Sequence, residues 1–286
     1  MPVFRALVAL GCVAAAAAAR APLPAPPPLP YAHDALEPYI SADIMRVHHE
    51  GHHAAYAART SALLATIDAS DSPELQRFRD VPLASLLLLL PQLPPSLGVA
   101  LRDHGGGYVN HAAFWSFMCP ASSPDALPHA LDRASPLRTA VEHAFGGWKG
   151  FQTAFSQAAA SVFGSGWAWL EAETSTECCT LVITTSANQE SPFMKPNRVA
   201  ILGLDVWEHA YCTLLRTRLH PLCAHHTVSP PRLYVVIHTL RLAAADLQYK
   251  NKRADYVNAW WNVVNATQME SLYNGACSCA PPSDAA

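Results

Sequence analysis

The stretch Leu204-Asp-Val-Trp-Glu-His-Ala-Tyr211 sets a carboxylate, Asp205, four residues ahead of an imidazole, His209. On a helix, side chains four residues apart share one face, so these two could bind one metal ion through an anionic oxygen and a neutral nitrogen. The spacing alone is weak evidence, because a surface Asp/His pair in one helical turn is the commoner arrangement. The rest of a metal site must come from elsewhere in the sequence.

Two upstream segments supply further imidazoles. His48 lies in Met45-Arg-Val-His-His-Glu-Gly-His-His53, and His111 lies in Gly105-Gly-Gly-Tyr-Val-Asn-His-Ala-Ala-Phe-Trp115. The four histidines within residues 48–53 are hard to explain as core residues, because unpaired imidazoles are costly to bury. Three histidines and one carboxylate suit a first-row metal that stays partly open to solvent.

Together with Phe163-Gly-Ser-Gly-Trp-Ala-Trp169 and Ser186-Ala-Asn-Gln-Glu-Ser191, these segments resemble the iron/manganese superoxide dismutase family in their order and approximate spacing. The resemblance runs from about Leu29 to Tyr211 and resumes from Leu247 to about Tyr273. It implies an oxidoreductase in which a redox-cycling metal converts superoxide to oxygen and hydrogen peroxide. By the same resemblance the metal ligands are His48, His111, Asp205 and His209.

The resemblance also assigns roles to residues beside the metal. Gln189 would hydrogen-bond the metal-bound solvent. Because this amide comes from a loop, while Gly107 occupies the helix position that carries it in iron types, manganese is favoured over iron. His52 and Tyr56, one and two helical turns from His48, would gate the access funnel and relay protons.

Three further positions match the family. Trp167 would wall the site with apolar surface, Arg253 beside Lys252 would steer the anionic substrate, and Glu208 would hydrogen-bond a ligand histidine of a partner subunit. The role of Glu208 requires a homodimer or homotetramer. Two alternatives stay open: a metal-binding but inactive relative, and a zinc hydrolase that uses the same ligands. A hydrolase needs a general base beside an activated water, a role that the side chains expected there fit badly.

Hydrophobic spacing predicts an α+β fold class: an N-terminal antiparallel α-helical hairpin domain and a C-terminal α/β domain with a small three-stranded antiparallel sheet. The hairpin would pair a helix within Ser41–Ala69 with a second over about Leu97–Phe117. Further helices are expected near residues 134–145 and 148–160. The predicted strands are Gly166–Glu173, Thr180–Ser186 and Val199–Leu204, the last of which leads through Asp205 into a helix that contains His209.

The N-terminal residues 1–19 have the layout of a signal or targeting peptide, with a single Arg, an apolar run and small residues. This predicts entry into the secretory pathway, followed by secretion or delivery to an organelle such as a plastid, with the mitochondrial matrix as the alternative. The segment is too short to span a bilayer well, so no membrane partner is expected. After it we expect a mobile Pro-rich lead-in over 20–28, the hairpin domain over 29–118, the metal-binding domain over 119–275 and a disordered tail over 276–286.

Residues 212–246 depart from the family pattern. Cys212 stands where the family has a second tyrosine, and the pattern resumes only at Leu247-Gln-Tyr-Lys-Asn-Lys-Arg253. Two interpretations compete: a genuine insertion that remodels the dimer contact, and translated noncoding sequence. The second is favoured, because long structureless loops inside compact domains are uncommon.

Composition and cysteine spacing bear on two further questions: whether the chain binds nucleic acid and whether its cysteines form a zinc site. The 286-residue chain is 51% hydrophobic and 14% charged with a net charge of -3, and it has no long basic run, so no nucleic-acid partner is expected. If Cys12 leaves with the leader, seven cysteines remain. Neither Cys178-Cys179 nor Cys277-Ser-Cys279 has a second pair at zinc-site spacing, so both are interpreted as incidental thiols.

Overall fold

The computed structural model describes residues 25–130, 134–174, 179–212, 248–249 and 251–277. The predicted leader, most of the atypical stretch and nearly all of the predicted tail lie outside these ranges. Among the described residues, no helix is both long and apolar enough to cross a membrane.

The first half of the hairpin is one continuous helix with a widened middle. Ser41 caps its start by accepting a hydrogen bond from the Ile44 amide at 3.3 Å. The helix then runs as α1 (Ala42–Arg46), a π-helical turn (Val47–His53) and α2 (Ala54–Asp68). The predicted helix within Ser41–Ala69 is confirmed, but the spacing did not reveal the π-helical turn, which inserts an extra residue into the helical repeat.

The second half of the hairpin is a 22-residue helix that packs against the first. Two short helices, a 3₁₀ turn and then the long helix follow α2: α3 (Pro73–Gln76), α4 (Leu83–Leu88), the turn Leu90–Gln92 and α5 (Pro95–Ser116). Pro95 suits the first helical position because its missing N–H would have no partner there. Buried leucines and isoleucine from α2, α4 and α5 form the core of the hairpin: Leu64, Ile67, Leu86 and Leu101.

Helices and a three-stranded sheet make up the rest of the described chain. The helices that precede the sheet are α6 (Leu127–Ala130), α7 (Pro136–Phe145) and α8 (Trp148–Ser161). The strands, with the 3₁₀ turns that follow the second and third, are β1 (Gly166–Glu173), β2 (Thr180–Ala187), Pro192–Met194, β3 (Arg198–Asp205) and Glu208–Ala210. The last elements are α9 (Arg253–Trp260), the 3₁₀ turn Trp261–Val263 and α10 (Ala266–Ala276).

The sheet has the order β2-β1-β3, with both pairs antiparallel. In this register Trp167 of the central strand lies opposite Ser186 on one side and Asp205 on the other. The end of β3 and the loop after β2 therefore emerge at the same edge of the sheet, the edge at which β1 begins. This register brings Asp205 near Gln189.

One large core joins the hairpin to the sheet. It includes Ile44 and Phe114 from the two long helices, Trp169 and Leu202 from the sheet, and Trp260 from α9, all at most 1% exposed. Because burial of each large apolar side chain contributes roughly 1.5–3 kcal/mol, this shared core holds the hairpin against the strand ends. The histidines of the hairpin thereby face the end of β3.

The structure corrects one expectation about the chain's cysteines. In the described part of the lead-in, the Pro27 carbonyl lies 2.8 Å from His49 Nε2 in the hairpin. The interpretation of Cys179 and Cys277 as incidental thiols is wrong, because they form a disulfide across a sequence separation of 98 residues. Their Cα atoms are 5.5 Å apart, a typical disulfide separation. Spacing could not reveal this pair, since the two cysteines meet only through the packing of α10 on the sheet.

Candidate metal centre

The four predicted metal ligands meet in the structure. One donor atom from each of His48, His111, Asp205 and His209 lies within 4.8 Å of the others. Oδ2 of Asp205 is 3.2 Å from His48 Nε2, 3.5 Å from His111 Nε2 and 3.2 Å from His209 Nε2. Three of these side chains are at most 1% exposed, whereas the His209 side chain is 12% exposed. The cluster is therefore closed on the hairpin side and open beside His209.

Asp205 and His209 are brought together by a strand end and a turn, which corrects the expectation that they share a helical face. Asp205 is the last residue of β3, and His209 lies in the 3₁₀ turn Glu208–Ala210. The backbone N–H of Trp207 donates to Asp205 Oδ1 at 2.8 Å. This bond occupies one carboxylate oxygen and leaves Oδ2 directed at the three imidazoles.

The two hairpin histidines present ring nitrogens that the protein does not satisfy. His111 Nδ1 lies 2.7 Å from the Gly107 carbonyl, which can only accept, so Nδ1 carries the proton and Nε2 keeps a lone pair. Within the described residues, Nε2 of His48 and Nε2 of His111 are both buried without a hydrogen-bond partner. Native proteins rarely leave buried polar atoms unsatisfied, so these two point to a ligand.

The protonation states of the cluster suit a metal ion. Burial lowers the pKa of His48 to about 4, against the opposing effect of Asp205, and lowers the pKa of His111 well below its ordinary value. Burial alone would raise the pKa of Asp205, but the adjacent His209 and His48 hold it below its ordinary range. Neutral imidazoles with an ionised carboxylate are the forms that metal ligation requires, so the donor set fits a metal ion.

Gln189 lies at the centre of a buried hydrogen-bond network beside this cluster. Its side chain, in a residue only 2% exposed, donates from Nε2 to the Tyr56 hydroxyl at 3.0 Å. Its Oε1 accepts from Asn110 Nδ2 and from the Trp167 ring N–H, each at 3.1 Å. Burial raises the pKa of Tyr56 to about 12, so the phenol stays protonated. The network therefore fixes the orientation of the amide and keeps a neutral proton donor next to it.

Two residues of α5 beside this network, Gly106 and Gly107, must be glycines because neighbouring atoms leave no room for a side chain. A Cβ atom at Gly107 would lie 2.6 Å from Cε1 of Tyr56, and one at Gly106 would collide with Met194 and lie 2.5 Å from the Gln189 carbonyl oxygen. The helix α5 can thus approach both the Tyr56 ring and the Gln189 loop. No side chain of any size would fit at position 107 while Tyr56 stays in place.

Sequence reasoning missed Asn110 and the partners of His53. Asn110 donates to both the side-chain and the backbone oxygen of Gln189, and it directly precedes the ligand His111, which is the signal that could have found it. The buried His53 ring accepts from the Trp115 ring N–H at 2.9 Å, while its Nε2 lies 3.1 Å from the Tyr108 carbonyl. These bonds hold the last residue of the π-helical turn against α5.

The remaining predicted residues lie at the open side of the cluster or behind it. The His52 ring stacks on His209 at 4.2 Å between centroids, and Glu208 is exposed. Trp167 is fully buried, with its ring 5.4 Å from that of His111. The Arg253 guanidinium donates to the carbonyl oxygens of Val162 and Gly164, the latter at 2.7 Å.

These contacts give Arg253 a structural role in the loop before β1. It holds the loop from which the fully exposed Phe163 projects. Lys252 lies 3.8 Å from the Asp255 carboxylate. Substrate steering by Arg253 and Lys252 remains a prediction.

Comparison with known proteins agrees with this arrangement. The family model described as iron/manganese superoxide dismutases, alpha-hairpin domain, matches residues 25–119. The model described as iron/manganese superoxide dismutases, C-terminal domain, matches residues 133–219 and 244–272. The gap between these last two matches falls inside the atypical stretch 212–246.

Individual relatives are similar along most of the chain. It is 36% identical over 245 residues to a manganese superoxide dismutase of Pseudomonas putida, which covers 86% of this chain and 94% of the relative. It is 35% identical over 246 residues to manganese superoxide dismutase 1 of Leptolyngbya boryana, covering 86% and 78%. A manganese superoxide dismutase of Bordetella pertussis is 36% identical over 249 residues, covering 86% and 91%.

The two matched family models together span well over half of the sequence. The relatives named above agree with the same assignment at about one-third identity. The chain belongs to the iron/manganese superoxide dismutase family.

Proposed function

We propose that the protein is a superoxide dismutase that uses manganese. The observation that carries the proposal is the convergence of three imidazole nitrogens on one carboxylate oxygen, with the Gln189–Tyr56 hydrogen bond beside it. When bound, a manganese ion supplies the one-electron oxidation and reduction by which two superoxide ions and two protons become oxygen and hydrogen peroxide. The chain would hold that ion through His48, His111, Asp205 and His209.

The chain's own part in the reaction is to orient groups and to hold protons. Because Gln189 Nε2 donates to the Tyr56 oxygen, the phenol's own proton is left for another acceptor. With its pKa raised to about 12, Tyr56 holds this proton at physiological pH and can donate it to a reduced oxygen species. Trp167 and Trp115, packed against His111 and His48, keep bulk water from the buried side of the ligands.

The choice of manganese over iron rests on the source of the amide. The contact between Gly107 and the Tyr56 ring leaves no room for an amide side chain on α5. The buried amide comes instead from Gln189 in the loop after β2. By the family resemblance, an amide from this loop favours manganese. The named relatives are manganese enzymes, which supports the same metal for this chain.

We infer that the protein forms a homodimer through the open side of the cluster. Two segments carry the exposed residues on this side. The loop before β1 carries the fully exposed Phe163, and the turn after β3 carries the exposed Glu208 and the partly exposed His209. A second copy of the chain seated on these segments would remove the Phe163 ring from water. Glu208 would then reach a ligand histidine of that copy.

Activity per bound metal tests the enzyme proposal. Protein loaded with manganese should dismutate superoxide, whereas His111→Ala should lose both manganese and activity. His143→Ala, which removes an exposed histidine of α7, serves as the matched control and should keep both. Failure of the manganese-loaded protein to consume superoxide would contradict the proposal.

A version that lacks the atypical stretch 212–246 tests the alternative of an inactive relative. Activity in the full chain means that the atypical stretch is tolerated, and activity only in the shortened chain means that the stretch is inhibitory or foreign. The zinc hydrolase alternative has no supporting observation, because Tyr56 keeps its proton and Gln189 is neutral, so neither serves as a general base.

A further inference from the structure

We propose that the Cys179–Cys277 disulfide has a structural role in the mature protein: it fastens the C-terminal helix to the sheet, and it forms because the protein matures in an oxidising compartment. The proposal is independent of the enzyme activity. It concerns a cross-link that none of the four predicted ligands touches, and every test below is read without an activity assay.

The bond joins the start of β2 to the end of α10. Cys179 directly precedes Thr180, the first residue of β2, and Cys277 follows Ala276, the last residue of α10. The Cys277 amide donates to the Tyr273 carbonyl at 2.8 Å, so this cysteine still belongs to the last helical turn. Helix ends fray because their last carbonyls lack partners, and a covalent bond at this position prevents α10 from fraying.

The surroundings of Cys277 are packed. The residue is 9% exposed, and α10 buries Met269, Leu272 and Tyr273 against the rest of the core. The packing of α10 against the core thus places the two sulfurs side by side. By contrast, Cys119, a buried cysteine of the described chain, carries a free thiol.

The covalent loop contains half of the metal centre. The bond closes a separation of 98 residues that includes Asp205, His209 and the whole of the atypical stretch 212–246. Closing a long loop removes more disorder from the unfolded chain than closing a short one. A long intervening segment raises the conformational entropy of the unfolded chain, and the cross-link lowers it again. This stabilising effect does not depend on the conformation of the segment in the folded protein.

Formation of the bond needs an oxidant. Two successive thiol–disulfide exchanges with a small disulfide, such as oxidised glutathione, convert the two protein thiols into one disulfide and release two small thiols, which carry away both protons and both electrons. Such bonds persist in oxidising compartments and are rare in the cytosol. The signal-like layout of residues 1–19 predicts delivery to a compartment of this kind.

Thiol trapping in the native source tests the bond directly. Cells are lysed in excess alkylating reagent, and the protein is digested with trypsin, which should release residues 150–198 and 254–286 as separate peptides if no bond joins them. We expect these peptides to be recovered linked until a reductant is added. Recovery of both peptides with every cysteine alkylated would overturn the proposal.

Each peptide carries a second cysteine, so variants identify the bonded sulfurs. The link should survive Cys178→Ser and Cys279→Ser but disappear in Cys179→Ser and Cys277→Ser. Loss of the link in Cys178→Ser or Cys279→Ser, with its survival in the other two, would assign the bond to different sulfurs and contradict the proposal.

Thermal unfolding tests the structural role. A reductant should lower the Tm of the wild-type protein by roughly 5–15 °C, the range expected for loss of a long-loop disulfide in a protein of this size. Cys179→Ser, Cys277→Ser and the double variant should share that lower Tm and ignore the reductant. Cys119→Ser, the matched control at a free thiol, should keep the wild-type response. A wild-type Tm that ignores the reductant would refute the structural role.

Discussion

Gln189 hydrogen-bonds three side chains that come from three different elements. Tyr56 lies on α2, Asn110 on α5 and Trp167 on β1. The amide therefore links the hairpin to the sheet at the same place where it orients the groups beside the metal ligands. A residue in this position affects both the stability of the domain contact and the chemistry.

Replacement of Gln189 by Leu should separate these effects from metal binding. The variant leaves the buried Trp167 N–H without its acceptor, at a cost of about 1–3 kcal/mol, while Asn110 can still donate to the backbone oxygen of residue 189. We expect activity per manganese to fall at least tenfold while manganese content stays near the wild-type level, as measured by elemental analysis beside the activity assay. Gln157→Leu, at an exposed site on α8, is the control and should change neither value.

Tyr256 predicts how stability depends on alkaline pH. The residue is 1% exposed, its hydroxyl has no hydrogen-bond partner in the described chain, and burial raises its pKa well above the ordinary value. The folded protein keeps this proton while the unfolded chain releases it above pH about 10. Stability is therefore complete below that pH and falls as the pH rises further, by about 1.4 kcal/mol per unit for one such group.

The variant Tyr256→Phe tests this prediction. It removes the titrating group and a buried hydroxyl without a partner, so we expect equal or higher stability at pH 8 and a shallower loss above pH 10. Denaturant unfolding across pH 8–11 provides the measurement. Tyr39→Phe, at a partly exposed tyrosine, should keep the wild-type slope; a wild-type slope in Tyr256→Phe would show that this group does not titrate as described.

At the scale of elements, a glycine of the π-helical turn, Gly51, and a glycine of α5, Gly107, differ in how much space surrounds them. A Cβ at Gly51 would touch only Val47, at 4.0 Å, whereas a Cβ at Gly107 would lie 2.6 Å from an atom of the Tyr56 ring. The glycine at 51 is thus free to change, and the glycine at 107 is required by the close approach of the two helices.

The same substitution should have opposite effects at these two positions. Gly51→Ala should stabilise the protein by about 0.5–1 kcal/mol, because alanine loses less backbone freedom on folding. Gly107→Ala should destabilise it by about 1–3 kcal/mol and reduce activity, because Tyr56 must move away from Gln189. Chemical denaturation of both variants, with activity per manganese, checks the pair; a neutral Gly107→Ala would mean that the Tyr56 ring shifts freely.

Most elements could be predicted from the sequence because their patterns are local. The hairpin helices follow apolar positions at helical spacing, and the strands are short apolar runs between turn residues. Their observed bounds differ from the predicted ones by at most two residues. The π-helical turn could not be predicted in this way, since an extra residue in a helix leaves the spacing nearly helical. The meeting of Asp205 with His209 was predicted for the wrong reason, because a strand end followed by a 3₁₀ turn also brings residues four apart together.

The four ligands of the candidate site were found through family motifs rather than through spacing. Nothing local connects His48 to Asp205, whose meeting depends on the shared core between hairpin and sheet. The Cys179–Cys277 bond was missed for the same reason: its partners are 98 residues apart and belong to no motif. Contacts of this kind depend on tertiary packing, which a single sequence does not display.

At the scale of the whole molecule, the proposed dimer can be tested at Phe163, a fully exposed phenylalanine in the loop before β1. Phe163→Ser should weaken self-association, moving the protein towards the monomer at concentrations where the wild type is dimeric. Light scattering after size-exclusion chromatography provides the mass. Val99→Ser, which removes an exposed apolar side chain from α5, is the control and should leave the mass unchanged.

A monomeric wild-type protein would contradict the proposed dimer. So would a dimer that Phe163→Ser leaves intact while Val99→Ser dissociates it. Glu208→Ala in the same experiment should retain the dimer only partly if its carboxylate reaches the neighbouring copy.

The hydrogen bond between His49 and the Pro27 carbonyl limits where the chain can be cut during maturation. His49 is adjacent to the ligand His48, and Pro27 lies before the first helix, so the lead-in braces the turn that carries the ligand. A protease that cleaved after Pro27 would detach this brace from the body of the protein. Processing that ends upstream of Pro27 leaves the brace in the finished enzyme, and an N-terminal tag is best joined there as well.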